Sequence, residues 1–195
     1  LAPVAPQTAV EAAAWSVMMV ASDIEGGALS FDLVEAPAGA TIDAQGTVRW
    51  TPPDGALAAR IVARVTDSGG ASATQVIDIA VQNVAPQVRA SGPSEAVGGT
   101  PYVLALAYSD VGADRVVQWL IDWGDGVSST VAGDQRQASH VYTGAVAAVR
   151  IQVRAEDDDG LWAADPIDVT VRPMPVVTPP TPPVMPGVPI GTTGP

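Results

Sequence analysis

Apolar and polar residues alternate along most of this chain, a period that places positions i and i+2 on one face of an extended strand. Trp15, Val17 and Met19 form one such row, and Leu29, Phe31 and Leu33 another. Ile61, Ala63 and Val65 leave Arg64 and Thr66 on the opposite face, while Ile77, Ile79 and Val81 leave Asp78 and Gln82 there. Further along, Val117, Trp119, Ile121 and Trp123 share a face. Val149, Ile151 and Val153 turn inward with Arg150, Gln152 and Arg154 outward, and Ile167, Val169 and Val171 close the series. Turn signals such as "EGG", "APAGA", "PPDG" and "DSGG" separate the first rows. Strands at this spacing predict a β-sandwich. The Ala-rich "AVEAAAW" is short and has no polar face, so it reads as strand or coil, and no segment reads as a helix.

The pattern occurs twice. "VMMVASD" ending at Asp23 matches "LALAYSD" ending at Asp110, and "RIVARVTDSGG" ending at Gly70 matches "RIQVRAEDDDG" ending at Gly160. "IDIAVQNVAP" ending at Pro86 matches "IDVTVRPMP" ending at Pro175, so the offsets are 87, 90 and 89. A period of this length means tandem copies of one small domain. The boundary falls near Asn83 to Pro86, giving domains over 1–84 and 85–172 joined by a short linker that favours end-to-end stacking. Residues 173–195 hold nine of the 18 prolines and no charged side chain. That composition predicts an extended, semi-rigid stalk or tail in which Thr178, Thr181, Thr192 and Thr193 are candidate O-glycan sites.

Composition narrows the classes. With no cysteine, neither a disulfide framework nor a thiolate metal site is available. The formal net charge is −12 and all nine basic residues are Arg, which disfavours nucleic acid and anionic membrane surfaces as partners and favours cations. The same acidity also serves simply to keep an extracellular protein soluble. No apolar run approaches the roughly 18 residues of a membrane span. The chain begins at Leu1, which reads as a mature or excised piece.

"WLIDWGDG", then "HVY" at His140 to Tyr142, then "VRAEDDDG" ending at Gly160, together resemble the PKD (polycystic kidney disease) domain over about 84–172. The first half, through "VASDIEGGALSFDL", "APAGATIDAQGTVRWTP", "ARVTDSGGASATQ" and "VQNVAP", resembles the cadherin-like family, in particular its dystroglycan-type and putative-Ig bacterial branch, over about 1–86. The two resemblances imply an all-β chain of two tandem Ig-like β-sandwiches followed by the Pro-rich tail. The first half departs from true cadherins in two places: "WTPPDG" stands where they have Leu-Asp-Arg-Glu, and the linker keeps a single Asn. Those departures argue against a full triple-calcium junction.

Calcium needs six to eight oxygen ligands, and cadherin-like ligands converge at domain junctions. The resemblance therefore implies a possible Ca2+ site at the internal junction, with Glu11, Asn83, Asp110, Asp157 and Asp158 as candidate ligands. At the N-terminal end Asp23, Glu25 and Asp67 occupy equivalent repeat positions and would need a ligand from a preceding domain. The other reading is that these Asp-Gly turns exist because Asp bonds its own backbone and Gly supplies positive φ. Asp122 and Asp125 do not read as a glycosidase pair, because nothing in the pattern makes a cleft. Asp122 reads as an acceptor for turn amides, and Asp125-Gly126 as a hairpin. His140, the single histidine, has Ser139 beside it, but strand neighbours point to opposite faces, so a nucleophile–base pair is not expected. The PKD resemblance implies instead that His140 and Tyr142 brace the sandwich. Trp162 follows the acidic turn and is a candidate sugar-stacking residue or an edge of the core.

Together these readings point to a non-enzymatic, secreted or cell-surface module with a structural or adhesive role: a rod-like spacer or interaction segment of a surface protein. Two alternatives are a subunit of a self-assembling surface filament or sheath and an accessory carbohydrate-binding module of a secreted hydrolase. The expected partners are other protein domains, copies of the chain itself, or cell-surface polysaccharide, with no nucleic acid and no membrane insertion.

Overall fold

The computed structural model describes residues 1–143 and 148–174, so the stalk segment 175–195, with its four threonines, lies outside the described residues. Every regular element among them is a strand. The first half holds β1 (Gln7–Val10), β2 (Trp15–Met18), β3 (Leu29–Glu35), β4 (Thr41–Ile42), β5 (Thr47–Trp50), β6 (Ala58–Asp67) and β7 (Ser72–Gln82). The second holds β8 (Gln87–Ser91), β9 (Glu95–Val97), β10 (Pro101–Ser109), β11 (Gln118–Asp122) and β12 (Ser128–Ala132). It continues with β13 (Gln137–Val141), β14 (Val149–Glu156), β15 (Leu161–Ala163) and β16 (Ile167–Arg172).

The repeat seen in the sequence is a repeat of topology. In the first half a sheet of order β1-β7-β6-β3 faces a sheet of order β2-β5-β4. The second half repeats the first order as β9-β16-β14-β11 and the β2-β5 pair as β10-β13. In both, an early strand (β1 in the first half, β9 in the second) runs parallel to the closing one: Gln7 lies opposite Ile79, and Thr170 opposite Glu95. The second half adds β8 beside β10 and β12 beside β11. This is the Ig-like arrangement of two sheets with a core between them.

Each half has its own core. Val48, Trp50, Ile61, Ala63, Ile77, Ile79 and Val81 are buried in the first, with Trp15, Phe31 and Leu33 packed against them. Trp15 lies directly opposite Trp50 across β2 and β5, and the Trp50 indole donates to the Ala38 carbonyl (3.1 Å). The second core is built on Trp119, Trp123 and Tyr142, each fully buried, with Leu104, Ile121, Ile151 and Val153. A buried indole or phenol needs a partner for its polar atom. Trp119 donates to the Gly133 carbonyl, Trp123 to Ser129 Oγ, Tyr102 to the Pro93 carbonyl and Tyr142 to the Trp123 carbonyl.

One inward assignment is corrected. Val117 is exposed and Val116 is buried, because β11 begins only at Gln118 and the chain before it bends to let the Val117 amide reach the Glu156 carbonyl (2.7 Å).

Candidate functional site: the acidic junction between the sandwiches

The "WGDG" segment is a tight loop and not a pair of reacting acids. Trp123 donates its amide to the Val127 carbonyl, and Gly124 and Gly126 take φ of 78° and 88°, which glycine adopts without penalty. Asp122 Oδ1 accepts from the Gly124 amide and Asp125 Oδ1 from the Val127 amide. Asp125 Oδ2 lies 2.7 Å from His140 Nε2, and the imidazole stacks on Trp123 with its edge toward Tyr142. Burial would raise the Asp125 carboxyl, but the His140 hydrogen bond, the Val127 amide and the His140 charge outweigh it, so Asp125 sits below the ordinary carboxylate range. His140 is therefore tied to an acid and two aromatic rings.

The unusual chemistry lies where β1 ends and the linker begins. Glu11 follows β1 and is 1% exposed, an extreme burial for a carboxylate. Its Oε1 accepts the linker amide of Val84 (2.8 Å), while its Oε2 meets no donor. Asp54, in the "PPDG" turn after β5, and Asp114, in the loop before β11, each offer a carboxylate oxygen to the same point: one ligand atom from each of the three acids lies within 4.8 Å of the others. Asp114 is 8% exposed and neither of its oxygens meets a donor. Asn83 Oδ1 and Asp159 Oδ2 are also buried without a partner. Buried polar atoms are nearly always hydrogen-bonded, and an unpaired buried charge is strongly destabilising. Among the described residues five such oxygens lie on Glu11, Asn83, Asp114 and Asp159, and the carboxylates of Glu11, Asp54 and Asp114 are close enough to one another that they could hold a metal ion.

Electrostatics agree. Asp114 is pushed up to about 7 first by the facing carboxyl group of Asp54, then by burial and by the charges of Asp54, Glu11 and Asp158. Asp159 is raised by burial and by the charges of Asp158, Asp54, Asp157 and Asp110. The two sandwiches also touch through backbone here, since the Ala113 amide donates to the Pro53 carbonyl (3.0 Å).

The residues expected at this junction fall into two groups. Glu11 belongs to the cluster and Asn83 brings a buried, unpaired oxygen to the same linker, whereas Asp54 and Asp114 are not among the residues the sequence singles out. Asp110 is close by, but its Oδ1 accepts the Val111 and Gly112 amides. Asp157 is buried and engaged at both oxygens: Oδ1 accepts the Asp159 and Gly160 amides, and Oδ2 accepts the Trp162 indole (2.7 Å). Trp162 is half-buried and fixed to that turn, and Asp158 is exposed. At the N-terminal end Asp23 and Asp67 line one shallow cleft. Asp23 binds the Gly27 and Glu25 amides, Asp67 binds that of Ala71, and Glu25 is exposed. The repeat counterpart of Asp114 there is Gly27, so the N-terminal end has no carboxylate at that position.

Residues 1–80 match the family model described as bacterial Ig domain. No curated protein matches the chain. Among solved structures, the fibronectin(III)-like modules of Clostridium thermocellum CbhA are 17% identical, with 88% of this chain and 91% of that one covered at a TM-score of 0.39. A PKD domain of an M14-like peptidase from a Thermoplasmatales archaeon is 20% identical, covering 45% of this chain and 96% of its own at 0.36. The amphioxus IgVJ-C2 molecule is 10% identical, covering 84% and 99% at 0.46. At these identities and scores the likeness says nothing of ligand or activity.

Proposed function

We propose that this chain is a non-enzymatic structural module of a secreted or cell-surface protein, two Ig-like sandwiches set end to end as a spacer or adhesive segment. In this reading a bound calcium ion fixes their relative orientation. The observation that carries it is the set of donor-less buried oxygens on Glu11, Asn83 and Asp114, with a carboxylate oxygen of Asp54 within 4.8 Å of those of Glu11 and Asp114, drawn from the first sandwich, the linker and the second sandwich. The donors are all oxygen and three are carboxylates, the set that hard divalent cations prefer; calcium tolerates irregular geometry better than magnesium. When bound, the ion supplies the positive charge the cluster lacks. The protein's own groups do the positioning. Glu11 ties the cluster to the linker through Val84, Asp54 brings in the "PPDG" turn, and Asp114 brings in the second sandwich.

A non-enzymatic role is supported by the engagement of each candidate catalytic group in the turns described above. His140 is paired with Asp125, and Asp122 binds a loop amide. Small-angle scattering of the full chain in calcium and in chelator tests the spacer reading. A narrow, elongated distance distribution in calcium that broadens in chelator is expected. An identical distribution in both would remove the ion from the account.

A further inference from the structure

Two glycines border this cluster, one from each sandwich, and neither has the left-handed φ that would by itself demand glycine. Gly112 lies in the second sandwich, between Asp110 and Asp114. A Cβ there would stand 2.7 Å from Glu11 Oε2, 2.9 Å from its Cδ and 3.2 Å from Oε1. Gly55 lies in the first, directly after Asp54. A Cβ there would fall inside the Asn83 backbone, 2.7 Å from Asn83 Cβ and 2.8 Å from Glu11 Oε2. Real Cβ atoms essentially never come so close, so any larger residue at either position must displace what it meets.

We infer that Gly55 and Gly112 set the fit of the junction site: together they form the slot that lets the Glu11 carboxylate stand between the two sandwiches and face Asp54 and Asp114. This rests on the cation reading above. The Glu11 side chain is confined, because it is fully buried and its Oε1 is held by the Val84 amide. A methyl at position 112 therefore has two outcomes. Either Glu11 swings away and the cluster loses a ligand, or the second sandwich moves off the first and Asp114 is withdrawn. Both weaken the cation without touching either hydrophobic core. At position 55 the obstacle is the backbone of Asn83, which no rotamer relieves, and the displaced group is the linker itself.

The three atoms nearest to a Cβ at position 112, outside its chain neighbours, all belong to Glu11. Gly112→Ala should therefore be harmful only while Glu11 is present, which distinguishes a slot from a general need for flexibility. The experiment is calcium titration by calorimetry, with melting in chelator, on the full chain and on Gly112→Ala, Glu11→Ala and the double variant, circular dichroism confirming the fold of each. The expected result is a loss of about 10- to 100-fold in calcium affinity for Gly112→Ala, as for other changes that misplace a metal ligand. In chelator, Gly112→Ala should melt lower than the unaltered chain, whereas the double variant should melt with Glu11→Ala. Calcium uptake that Gly112→Ala leaves unchanged overturns the slot and leaves the cation reading standing. Equal harm from Gly112→Ala in both backgrounds overturns it as well. No uptake by the unaltered chain overturns both.

Discussion

The Asp114 carboxyl group of the second sandwich faces the Asp54 carboxyl group of the first, an oxygen of each lying within 4.8 Å of the other, and Asp114 is pushed up to about 7. Two carboxylates that face each other with little solvent between them need a proton or a cation. The same pair therefore makes metal-free stability sensitive to pH.

The sign follows from linkage. The folded value for Asp114 is above its unfolded value, so the stabilisation it brings is complete below about pH 4 and is lost as pH rises through about 7. Asp159, also raised, acts in the same direction. In chelator, the melting temperature should fall between pH 5 and pH 8, on the order of 5 °C for 1 kcal/mol in domains of this size. Asp114→Asn should flatten that slope. A melting temperature that rises across this range would contradict the assignment.

Glu11 and Asp157 are both buried acids of the junction region, yet their variants should behave differently. Glu11→Gln removes a cation ligand and one uncompensated charge, so it should abolish most of the calcium response while leaving the chelator-state melting temperature unchanged or higher. Asp157→Asn weakens the bonds to the Asp159 and Gly160 amides and to Trp162, and should cost about 1–3 kcal/mol with and without calcium. Denaturant unfolding of the two variants, each with calcium and with chelator, checks this.

At the far side of the second core, Asp125 has a folded value below its unfolded one. Its contribution is present above about pH 4 and is lost as pH falls through the lowered folded value. Asp125→Ala should lower stability at pH 7 by about 1–3 kcal/mol, since the His140 ring and the Val127 amide both lose their acceptor. It should also soften the acid limb of the stability curve below pH 4.

Gly133 and Gly160 offer a comparison independent of any ion. A Cβ on Gly133 would fall on the Val116 carbonyl, at the point where the Trp119 indole also bonds the Gly133 carbonyl. A Cβ on Gly160 meets only the Trp162 ring, at an ordinary 3.8 Å. Gly133→Ala should destabilise by about 1–3 kcal/mol or more, and Gly160→Ala by well under about 1 kcal/mol. Equal effects in thermal melts would argue against the packing described around Trp119.

Strands and cores were legible because period-two alternation is a local signal: Ile61 to Val65, Ile77 to Val81 and Val149 to Val153 needed no tertiary information. The exception, Val117, lies just before a strand, where a backbone bend resets the phase. The parallel pairings of β1 with β7 and β9 with β16 join residues far apart in sequence and left no local trace. The junction was legible as a place and only partly as a residue set. Glu11 and Asn83 flank the boundary, which is why the sequence points to them. Asp114 was missed because its repeat counterpart is Gly27, so comparison of the halves pointed to Asp110 instead. Asp54 was hidden in "PPDG", which reads as a turn and is one, while also delivering a carboxylate to the junction. Asp157 attracted attention as an acid in an acidic run, but burial and the Trp162 indole commit it to its own turn.

The central claim is that a cation joins the two sandwiches through Glu11, Asp54 and Asp114. Scanning calorimetry of the full chain, stripped with chelator and then supplied with excess calcium, tests it most directly. Ligand that binds only the folded, docked state stabilises by mass action, about 2.7 kcal/mol at a hundredfold excess over Kd. The account predicts that calcium raises the melting temperature of the unaltered chain and leaves that of Asp114→Ala where it was. A melting temperature for the unaltered chain that calcium does not move, or an equal rise in Asp114→Ala, would contradict it.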